Sequence, residues 1–470
     1  MDIVRTRHAS PPMGASHRPL ELCVIGGGFT GIAAAIALLN AVDEPFRLSI
    51  VEPNSELGRG VAFGGHHPLL LLNVRARDLS ISASQPGDFL NWAFSQLDQG
   101  EQHGGLHEGL AHAFLPRQLF GEYVRQRFFQ AVSRRKDVEL TIIDAEASRC
   151  VAERGAFRIE CAGRKPVGAD IVFLATAYGL PRESGHGALP AFVPVSSGRL
   201  VAAKSLALIG SGLTMVDALL SARRNGFEGT ATIVSPRGLL PGPHAPMGVG
   251  SHQITLPPSN RVSLLASRIR IACETSEAHG TPWQAVINGL RPSLQTLWQQ
   301  LSPDEQARFL RHMRPYWDAH RHRLPMEIHA RLQSELASGA ARLVRGRVRD
   351  VSRKGDVFAL RLSSRGREQT IETDLAFDCS GHRPELDSSL LQALLRDKLV
   401  LRDYHGLGLV VLADGQVIGD GGQPTPGLFA LGPLCQGSLW EITAVAEIVS
   451  QAGKAAEAIA SCRARRKAAG

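Results

Sequence analysis

The chain has 470 residues, 44% of them hydrophobic and 20% charged, which is the composition of a globular protein too long for one ordinary hydrophobic core. The formal net charge of +8 is concentrated at the ends, because residues 1–19 contribute +2 and the last eight residues +4. The body therefore carries little excess charge, and nucleic-acid binding is not predicted.

The chain shows no targeting or redox motif. No apolar stretch approaches the roughly 20 residues that span a bilayer, and residues 1–19 lack the apolar core of a signal peptide. We expect a cytoplasmic protein without membrane attachment, with a disordered tail at 1–19 and a basic tail at 463–470. The seven cysteines form no C-x-x-C motif, which argues against a dithiol reductase, secretion and a zinc site. Cys23 and Cys379 lie in apolar runs and are expected to be buried.

The strongest motif begins with the apolar run 22–25. Gly26, Gly28 and Gly31 follow it with the spacing G-x-G-x-x-G, and Glu52 ends a second apolar run 21 positions after the last glycine. In such a strand–turn–helix unit the first glycine allows the sharp turn, the second lets the backbone approach a pyrophosphate and the third lets the helix pack closely on the strand. The helix start attracts the anion. Glu52 is placed to bind a ribose diol, so the motif predicts a dinucleotide site.

Three residues of the next segment are candidate cofactor contacts. A loop with glycines between 58 and 65 can pass close to a cofactor, and within it Arg59 either meets a phosphate or flavin carbonyl or is a surface arginine. Asn73 either reaches a flavin or substrate or stabilises a turn. Arg117 lies near the start of a helix predicted to run through Val132, and is a weaker candidate.

The pattern then recurs along the chain. Residues 138–181 read as alternating strands that end on small residues. A strand at 205–209 leads into a second glycine turn with Gly210, Gly212 and Thr214, and the segment 341–384 repeats the strands of 138–181. Met215 stands at the third glycine position, which weakens the motif by itself. The repeat predicts two nucleotide-binding lobes.

The second lobe differs from the first where the acidic residue is expected. Its second strand is followed by the sequence Ser235-Pro236-Arg237-Gly238. A glutamate favours a free ribose hydroxyl, whereas an arginine favours a 2′-phosphate. We therefore predict an NADPH site with Arg237 as the phosphate clamp and Ser235 as its helper. The alternative is a loop arginine without a binding role.

The segment 260–335 is predicted to be a helical insertion. Apolar residues at 290, 294, 297, 298 and 301 mark one helical face, and 302–305 is a capping box with proline at the first helical position. Asp318, His320 and His322 do not have the spacing of a metal site, and we expect no metal. Their segment is interpreted as a lid or substrate-facing loop, or as a solvated helix end.

The final segment is expected to return to the first lobe. A buried strand at 428–432 ends at Gly432, and the stretch from 437 onward is predicted to begin the last long helix. Such a helix start could point at a flavin ring or its ribityl chain, with Trp440 and Thr443 nearby. Together with Asn73 these two residues are the candidate catalytic contacts, although Trp440 could equally be a core residue.

Taken in order, these motifs resemble a known family. The stretches GGGFTG, LGRGVAFG, FLPRQLFGEY, ATAYG, GSGLTMVD, RPYWDAHRHR, CSGHRP and LFALGPLCQGSLWEITAV are similar to those of bacterial FAD/NAD(P)-binding flavoproteins related to flavin-dependent N-monooxygenases, including the nitrosuccinate-forming aspartate N-oxygenases. The resemblance covers about residues 20–460. It implies that FAD is bound by Gly26, Gly28, Gly31 and Glu52, and NADPH by Gly210, Gly212, Thr214 and Arg237.

The resemblance also implies an α/β fold with two Rossmann-like, three-layer (ββα) domains. The NADPH domain, 200–385 with the helical insertion at about 260–335, interrupts the FAD domain, 20–199 and 386–462. The expected activity is an NADPH-dependent monooxygenation in which reduced flavin and O2 form a C4a-peroxyflavin that oxygenates a small amine or hydroxylamine. The alternatives are an FAD-dependent NAD(P)H reductase or dehydrogenase, and a nucleotide-binding protein without turnover. Substrate identity and a homo-oligomeric state are left open.

Overall fold

The computed structural model describes residues 18–54, 56–64, 70–97, 104–179, 187–191, 195–254, 256, 259–381 and 386–469. The chain divides into two compact units, Met1–Leu180 with Arg383–Gly470, and Pro181–His382. The first boundary was expected near residue 199 and falls earlier, because a short strand at Leu189–Pro190 pairs with a strand of the second unit. Most of the expected tail at 1–19 lies outside the described residues.

The strands are numbered in chain order. They are β1 Leu20–Ile25, β2 Phe46–Val51, β3 Glu139–Ile143, β4 Ala147–Glu153, β5 Ala156–Cys161, β6 Val167–Ala169, β7 Ile171–Leu174, β8 Leu189–Pro190, β9 Ser205–Ile209, β10 Thr230–Ser235, β11 Ala341–Arg345, β12 Arg347–Lys354, β13 Val357–Ser364, β14 Arg367–Thr373, β15 Leu375–Asp378, β16 Gln416–Ile418 and β17 Pro424–Ala430.

The α-helices are numbered in the same way. They are α1 Phe29–Ala41, α2 Gly60–Phe63, α3 Asp88–Leu97, α4 Gly104–His112, α5 Arg117–Arg134, α6 Ser197–Ala202, α7 Leu213–Arg224, α8 Val262–Ala278, α9 Trp283–Gly289, α10 Leu294–Gln300, α11 Pro303–Arg308, α12 Arg314–Arg321, α13 Met326–Ala337, α14 Ser389–Arg396 and α15 Val445–Ala469. Short 3-10 turns occupy Ala76–Asp78, Arg291–Ser293, Asp420–Gly422 and Gly432–Cys435, and a π-helical turn occupies Phe309–Met313.

The first unit is built on a sheet with the strand order β16-β17-β7-β1-β2-β3. All pairs are parallel except β16–β17. Alternate residues of β1 face opposite layers, as the strand period requires: Leu22 and Val24 pack on α1, α5 and α15, whereas Cys23 and Ile25 pack on the antiparallel sheet β4-β5-β6 and on α14. The unit thus has three layers, and its parallel strands are buried on both faces.

The second unit repeats this arrangement. Its parallel sheet has the order β11-β10-β9-β15-β8, which matches β3-β2-β1-β7-β17 of the first unit. Leu206 and Leu208 of β9 pack on α7 and α13, whereas Ala207 and Ile209 face the antiparallel sheet β12-β13-β14. The two three-layer units confirm the predicted fold class and the predicted internal repeat.

The helical insertion is present, with one correction. The face expected over 290–301 does not belong to one helix, because Leu290 caps α9 and the 3-10 turn Arg291–Ser293 precedes α10. The proline inside this turn, Pro292, cannot donate a backbone hydrogen bond, which explains the interruption. The capping box forms by half: Ser302 Oγ accepts from Glu305 N, but Glu305 Oε2 accepts from the backbone nitrogen of Val262 at 2.7 Å.

The basic end of the chain also differs from expectation. Instead of a tail from residue 463, α15 continues to Ala469, and Arg463 Nη2 lies 2.9 Å from Glu44 Oε2. This ion pair joins the end of α15 to the loop after α1. Within the described part of the chain, no helix has the length and apolarity that a membrane crossing requires.

Candidate dinucleotide-binding sites

The first glycine turn connects β1 to α1. Gly26 has φ +105°, and a Cβ there would lie 2.4 Å from the carbonyl oxygen of Ala175, so a side chain is excluded by both conformation and space. A Cβ at Gly31 would lie 1.8 Å from the carbonyl oxygen of Gly26. The first and third glycines therefore have the turn-forming and packing roles that the motif predicts.

Gly28 has room for a Cβ without a clash. A Cβ there would meet only the backbone of Gly60, 3.5 Å from its Cα. Gly28 is the N-cap of α1, and among the described residues no side chain caps this helix. A helix start carries backbone N–H groups without partners inside the helix, at the positive end of the helix dipole. The turn is therefore a cradle that fits a pyrophosphate.

Glu52 both follows β2 and fastens the turn. Its Oε2 accepts a hydrogen bond from the backbone N–H of Gly27 at 2.7 Å. Its Oε1 accepts from the backbone and side-chain nitrogens of Asn54 at 2.9 and 3.1 Å. A carboxylate has about four acceptor sites, so capacity is left for ribose hydroxyls. That contact remains a prediction.

The loop after Glu52 passes close to the first turn, and its contact with a cofactor remains a prediction. The backbone N–H of Gly58 donates to the carbonyl oxygen of Gly27 at 2.8 Å. The Arg59 guanidinium lies 2.8 Å from Glu122 Oε2 and 3.4 Å from Glu56 Oε1. These ion pairs give Arg59 a structural function, and its contact with a phosphate or flavin is still untested. Gly65 lies outside the described residues.

Arg117 joins the start of α5 to the segment that contains Asn73. Its Nε donates to the carbonyl oxygen of Leu71 at 3.0 Å, and its backbone nitrogen donates to that of Leu70 at 2.8 Å. Both Arg117 and Asn73 are half-buried. The structure thus brings these two candidates into one region of the first unit, and their cofactor contacts stay predictions.

Gly432 lies against the first turn of α1. Its φ is +65°, and a Cβ there would lie 2.8 Å from Thr30 Oγ1. Its backbone N–H donates to Gln451 Oε1 at 2.9 Å, and Gln451 is 2% exposed. The final segment therefore returns to the first unit, as the sequence predicted, and it does so beside the first turn of α1. A residue with a side chain at 432 would displace Thr30.

The helix that follows starts later than predicted. It begins at Val445, so Trp440 and Thr443 lie in the turns before it rather than in its first turn. Glu441, with φ +69°, breaks helical geometry at this point, and left-handed backbone of this kind is incompatible with a continuing right-handed helix. Trp440 is 5% exposed, as a core residue would be, and Thr443 is half-buried. Their catalytic roles are untested.

The second glycine turn connects β9 to α7 with the same geometry. Gly210 has φ +109°, and a Cβ there would lie 2.3 Å from the carbonyl oxygen of Cys379. A Cβ at Gly212 would have no atom of the described residues within 4 Å, which leaves room for a phosphate. Thr214 is half-buried in the first turn of α7, and Met215 is fully buried in the core between sheet and helices.

Glu52 and Ser235 occupy equivalent positions in their sheets. The N–H of Gly26 donates to the carbonyl oxygen of Val51 at 2.9 Å, and that of Gly210 donates to Val234 at 2.8 Å. The residues that follow these two valines therefore correspond. In the second unit a hydroxyl replaces the carboxylate, and two positions further on Arg237 replaces Asn54.

Arg237 and Ser235 each have a partner in the second unit. Ser235 is buried, and its Oγ accepts from the backbone N–H of Gly238 at 3.0 Å. Arg237 is half-buried. Its Nη2 donates to the carbonyl oxygen of Arg311 at 2.8 Å, and its guanidinium carbon lies 5.6 Å from the ring centroid of Tyr316. Both side chains are thus held at the end of β10, where the phosphate contact is predicted.

The histidines of the helical insertion do not gather into a metal centre. His320 Nδ1 lies 2.8 Å from the carbonyl oxygen of Tyr316, and His322 Nε2 lies 3.8 Å from Asp318 Oδ1. Over the described ranges, no group of three or more His, Cys, Asp or Glu side chains could hold a metal ion. Asp318 and His320 belong to α12, and His322 caps its end.

Most of the thiols are buried, in environments that disfavour redox chemistry. All seven cysteines are free, and five of them are buried. Burial raises the pKa of the Cys150 thiol to about 12, and burial likewise raises the pKa of Cys435 to about 12 despite a hydrogen bond from Gln451. Because the thiolate is the reactive form, these residues are suited to core packing.

Sequence reasoning missed three contributors to these sites. Thr30 and Gln451 fix the backbone around Gly432, and Tyr316 contacts Arg237. Thr30 stands inside the glycine motif, so its position was a usable signal. A glutamine among the alanines of α15 was a weaker one, and the contact of Tyr316 depends on tertiary packing that no local pattern encodes.

Two glycine turns of this kind, each at the end of a buried parallel sheet, define a protein with two dinucleotide-binding domains. Residues 23–179 match the family described as FAD-NAD(P)-binding, so this part of the chain is similar to FAD-NAD(P)-binding domains. A curated relative, the uncharacterized protein YdhS of Escherichia coli K12, is 24% identical over 213 residues. That match spans 43% of this chain and only 39% of the relative.

Solved structures of flavin-dependent enzymes have the same fold over nearly the whole chain. The ornithine N-hydroxylase of Kutzneria sp. 744 aligns with a TM-score of 0.63 at 13% identity, covering 96% of this chain and 100% of that one. The L-lysine 6-monooxygenase of Pseudomonas syringae aligns with a TM-score of 0.61 at 16% identity, covering 94% and 99%. At these identities the likeness establishes the fold, which is that of two-domain FAD/NADPH oxidoreductases.

Proposed function

We propose that the protein is an NADPH-dependent flavoprotein monooxygenase that hydroxylates a nitrogen atom of a small amine. The observation that carries the proposal is the difference between the equivalent loops after β2 and β10. The first loop presents the Glu52 carboxylate, and the second presents Ser235 and Arg237 in its place. This difference favours two nucleotides in one chain, one with a free ribose diol and one with a 2′-phosphate.

The chain's own residues would hold the two cofactors in different ways. In the first unit, the start of α1 at Gly28 would bind the pyrophosphate of FAD, and Glu52 would bind the ribose hydroxyls. Gly432, which has no side chain, would let its backbone lie close to Thr30 at the start of α1. In the second unit, the start of α7 at Gly212 would bind the pyrophosphate of NADPH. These assignments rest on the open space at Gly212, on the absence of a clash at Gly28 among the described residues, and on helix starts that attract anions.

The chemistry would belong to the cofactors. When bound, NADPH supplies a hydride and the flavin carries the electrons to O2, and the protein supplies alignment and excludes water. The balanced reaction consumes one amine, one O2, one NADPH and one proton, and yields one hydroxylamine, one water and one NADP+. Such a scheme explains why no catalytic dyad stands out among the candidate residues.

The nitrogen centre is proposed from the neighbours. The structures that share the fold include enzymes named for ornithine, lysine and cadaverine. This supports a small primary amine as the substrate class and does not select one amine. We also propose that the protein is a soluble protein of the cytoplasm.

The test is a coupled assay on the purified, FAD-loaded protein in air. Ornithine, lysine, cadaverine, aspartate and hydroxylamine are added in turn, and NADPH oxidation, O2 uptake and the oxygenated product are measured together. One amine is expected to raise NADPH oxidation and to give product in equal amount. Flavin reduction without any product would instead indicate a reductase, and failure of NADPH to reduce the flavin would indicate a nucleotide-binding protein without turnover.

A further inference from the structure

The helical insertion contacts the loop after β10 through Arg237. One N–H group of its guanidinium donates to the carbonyl oxygen of Arg311 at 2.8 Å, and the guanidinium carbon lies 5.6 Å from the centre of the Tyr316 ring. Arg237 and Arg311 are 74 residues apart in the chain. The side chain predicted to select the nucleotide is therefore held by a segment far from the glycine motif.

Pro315 lies four residues after Arg311, whose carbonyl oxygen accepts this bond. In an α-helix each backbone N–H bonds to the carbonyl four residues earlier, and the residue four positions after Arg311 is Pro315, which has no N–H. Arg311 itself lies in the π-helical turn between α11 and α12, where bonds run to the N–H five residues later and the missing N–H of Pro315 is bypassed. Pro315 therefore removes the N–H that would bond to the Arg311 carbonyl in a regular α-helix, and Arg237 is a donor that reaches this carbonyl.

Tyr316 restrains the same guanidinium from a second direction. Its side chain is 45% exposed, so the ring stands at the surface next to Arg237 rather than in the core. Arginine stacks favourably on tyrosine faces. A guanidinium has five N–H groups, and the bond to Arg311 uses one, which leaves donors for a phosphate.

We propose that Pro315 and Tyr316 are positioning residues that orient Arg237 toward the 2′-phosphate of NADPH. The inference rests on the proposed function in assigning NADPH to the second unit. A guanidinium that is already fixed by a carbonyl and an aromatic ring loses less conformational freedom when it binds a phosphate. The helical insertion then contributes to nucleotide selection without touching the nucleotide.

The test compares two ligands that differ in the 2′-phosphate. Binding of 2′,5′-ADP and of 5′-AMP to the full-length, FAD-loaded protein is measured by titration calorimetry, and the ratio of the two affinities is the readout. Pro315→Ala supplies the N–H that bonds to the Arg311 carbonyl in a regular α-helix, where it would compete with Arg237. Tyr316→Leu removes the aromatic face while keeping bulk. Each change is expected to lower the ratio roughly 3- to 10-fold, mainly through weaker binding of 2′,5′-ADP.

Two matched variants control for structural damage. Tyr316→Phe keeps the ring and is expected to retain the wild-type ratio. Pro303→Ala removes a proline from the first turn of α11, where an N–H has no acceptor inside the helix and no carbonyl is affected. It should leave the ratio unchanged. Far-ultraviolet circular dichroism and thermal unfolding check that each variant is folded.

The outcomes separate this inference from the proposed function. If Arg237→Ala lowers the ratio but Pro315→Ala and Tyr316→Leu leave it at the wild-type value, the positioning role is wrong and the clamp stands. If Arg237→Ala also leaves the ratio unchanged, the positioning role of Pro315 and Tyr316 and the phosphate-binding role of Arg237 are both wrong. Because binding is measured without turnover, the result does not depend on whether the enzyme oxygenates any amine.

Discussion

Glu52 Oε2 lies 2.7 Å from the backbone nitrogen of Gly27, in the middle of the first glycine turn. The carboxylate therefore shapes the phosphate cradle before any ribose is bound. Ser235, its equivalent in the second unit, accepts from Gly238 instead and leaves the second glycine turn to other contacts. One of these is Ser211 Oγ, which donates to the carbonyl oxygen of Leu239 at 2.6 Å.

Replacing Glu52 tests this double role. Glu52→Gln keeps the size of the side chain but loses its charge and exchanges one acceptor for a donor. We expect FAD affinity to fall by roughly tenfold or more, since hydrogen bonds to charged groups contribute about 1.5–3 kcal/mol, and the melting temperature to fall as well. FAD content after gel filtration and thermal unfolding measure both. Glu56→Gln, at an exposed position, is the control, and equal FAD retention in the two variants would contradict the assignment.

The two glycines of the second turn are expected to respond differently to alanine. Gly210→Ala introduces a Cβ at φ +109° and 2.3 Å from a carbonyl oxygen, which should lower the free energy of unfolding by about 1–3 kcal/mol or more. Gly212→Ala meets no atom of the described residues and should leave stability within about 0.5 kcal/mol. It should nevertheless weaken NADP+ binding, because the methyl group occupies the phosphate cradle. Urea unfolding and calorimetry distinguish the two, and unaltered NADP+ binding by Gly212→Ala would argue against the cradle.

Exchanging the loop chemistry should exchange the cofactor preference. In the double variant Ser235→Glu, Arg237→Ala, the second loop acquires the carboxylate of the first and loses its cation. The ratio of kcat/KM for NADPH over NADH is expected to fall roughly 10- to 100-fold, from the loss of charge-assisted hydrogen bonds. The control is Arg353→Ala. Arg353 lies on β12 and pairs with Asp356 in the turn that follows, and its removal should leave the ratio unchanged. A preserved ratio in the double variant would remove Arg237 from the site.

A carboxylate of the first unit is expected to make stability depend on acid pH. Arg127 Nε and Nη2 contact Asp88 Oδ2 and Oδ1 at 2.7 and 2.8 Å, and Tyr123 Oη donates to Oδ2 at 2.7 Å. Partial burial by itself raises the pKa of Asp88, but the hydrogen bonds from Arg127 and Tyr123 outweigh it and the pKa lies below its ordinary value. The network links α3 to α5.

The sign of this dependence follows from the lowered pKa. Stabilisation by Asp88 is fully present above its unfolded pKa of about 3.9 and is lost as the pH falls through the lower folded value. Asp88→Asn should therefore cost about 1–3 kcal/mol at pH 7 and progressively less below about pH 4. Asp356→Asn, with a 97% exposed side chain, is the control. Denaturant unfolding at pH 7 and below about pH 4 measures the loss of unfolding free energy in Asp88→Asn. A loss that is the same at the two pH values would refute the prediction.

The thiols should fall into two classes of reactivity. Cys462 is exposed, Cys273 is half-buried, and the others are buried; burial also raises the pKa of Cys273 to about 11. In the native protein we expect one rapid reaction with an aromatic disulfide reagent, and its loss in Cys462→Ser. Flavin reduction by NADPH should survive this labelling. A second rapid thiol, or loss of reduction on labelling, would point to a thiol-dependent activity.

The sequence predicts best where one residue type satisfies a local constraint. Gly26, Gly31 and Gly210 stand where conformation or space excludes a side chain, so their spacing alone located both turns. The apolar runs located the parallel strands because those strands are buried on both faces. The repeat of strands after each turn then predicted two nucleotide-binding lobes, and the family resemblance implied their three layers.

The misses have a common cause in contacts between distant segments. The sequence did not show the partners of Arg59 and Arg117, which are Glu122 and the carbonyl oxygen of Leu71. The start of α15 was placed too early because Glu441 adopts a left-handed conformation that its residue type does not favour. The first domain boundary was misplaced because a two-residue strand, β8, has no detectable pattern of its own.

The position of β17 beside β7 has a consequence for biosynthesis. All of β8 to β15 lies between these neighbours in the chain, so a ribosome finishes the second unit before it makes the strand that extends the first sheet. Domains that emerge whole can fold as units during translation. The second unit is thus able to fold on the nascent chain. The contact between Gly432 and Thr30 can form only when synthesis is almost complete. Binding of the flavin would therefore be among the last steps of maturation.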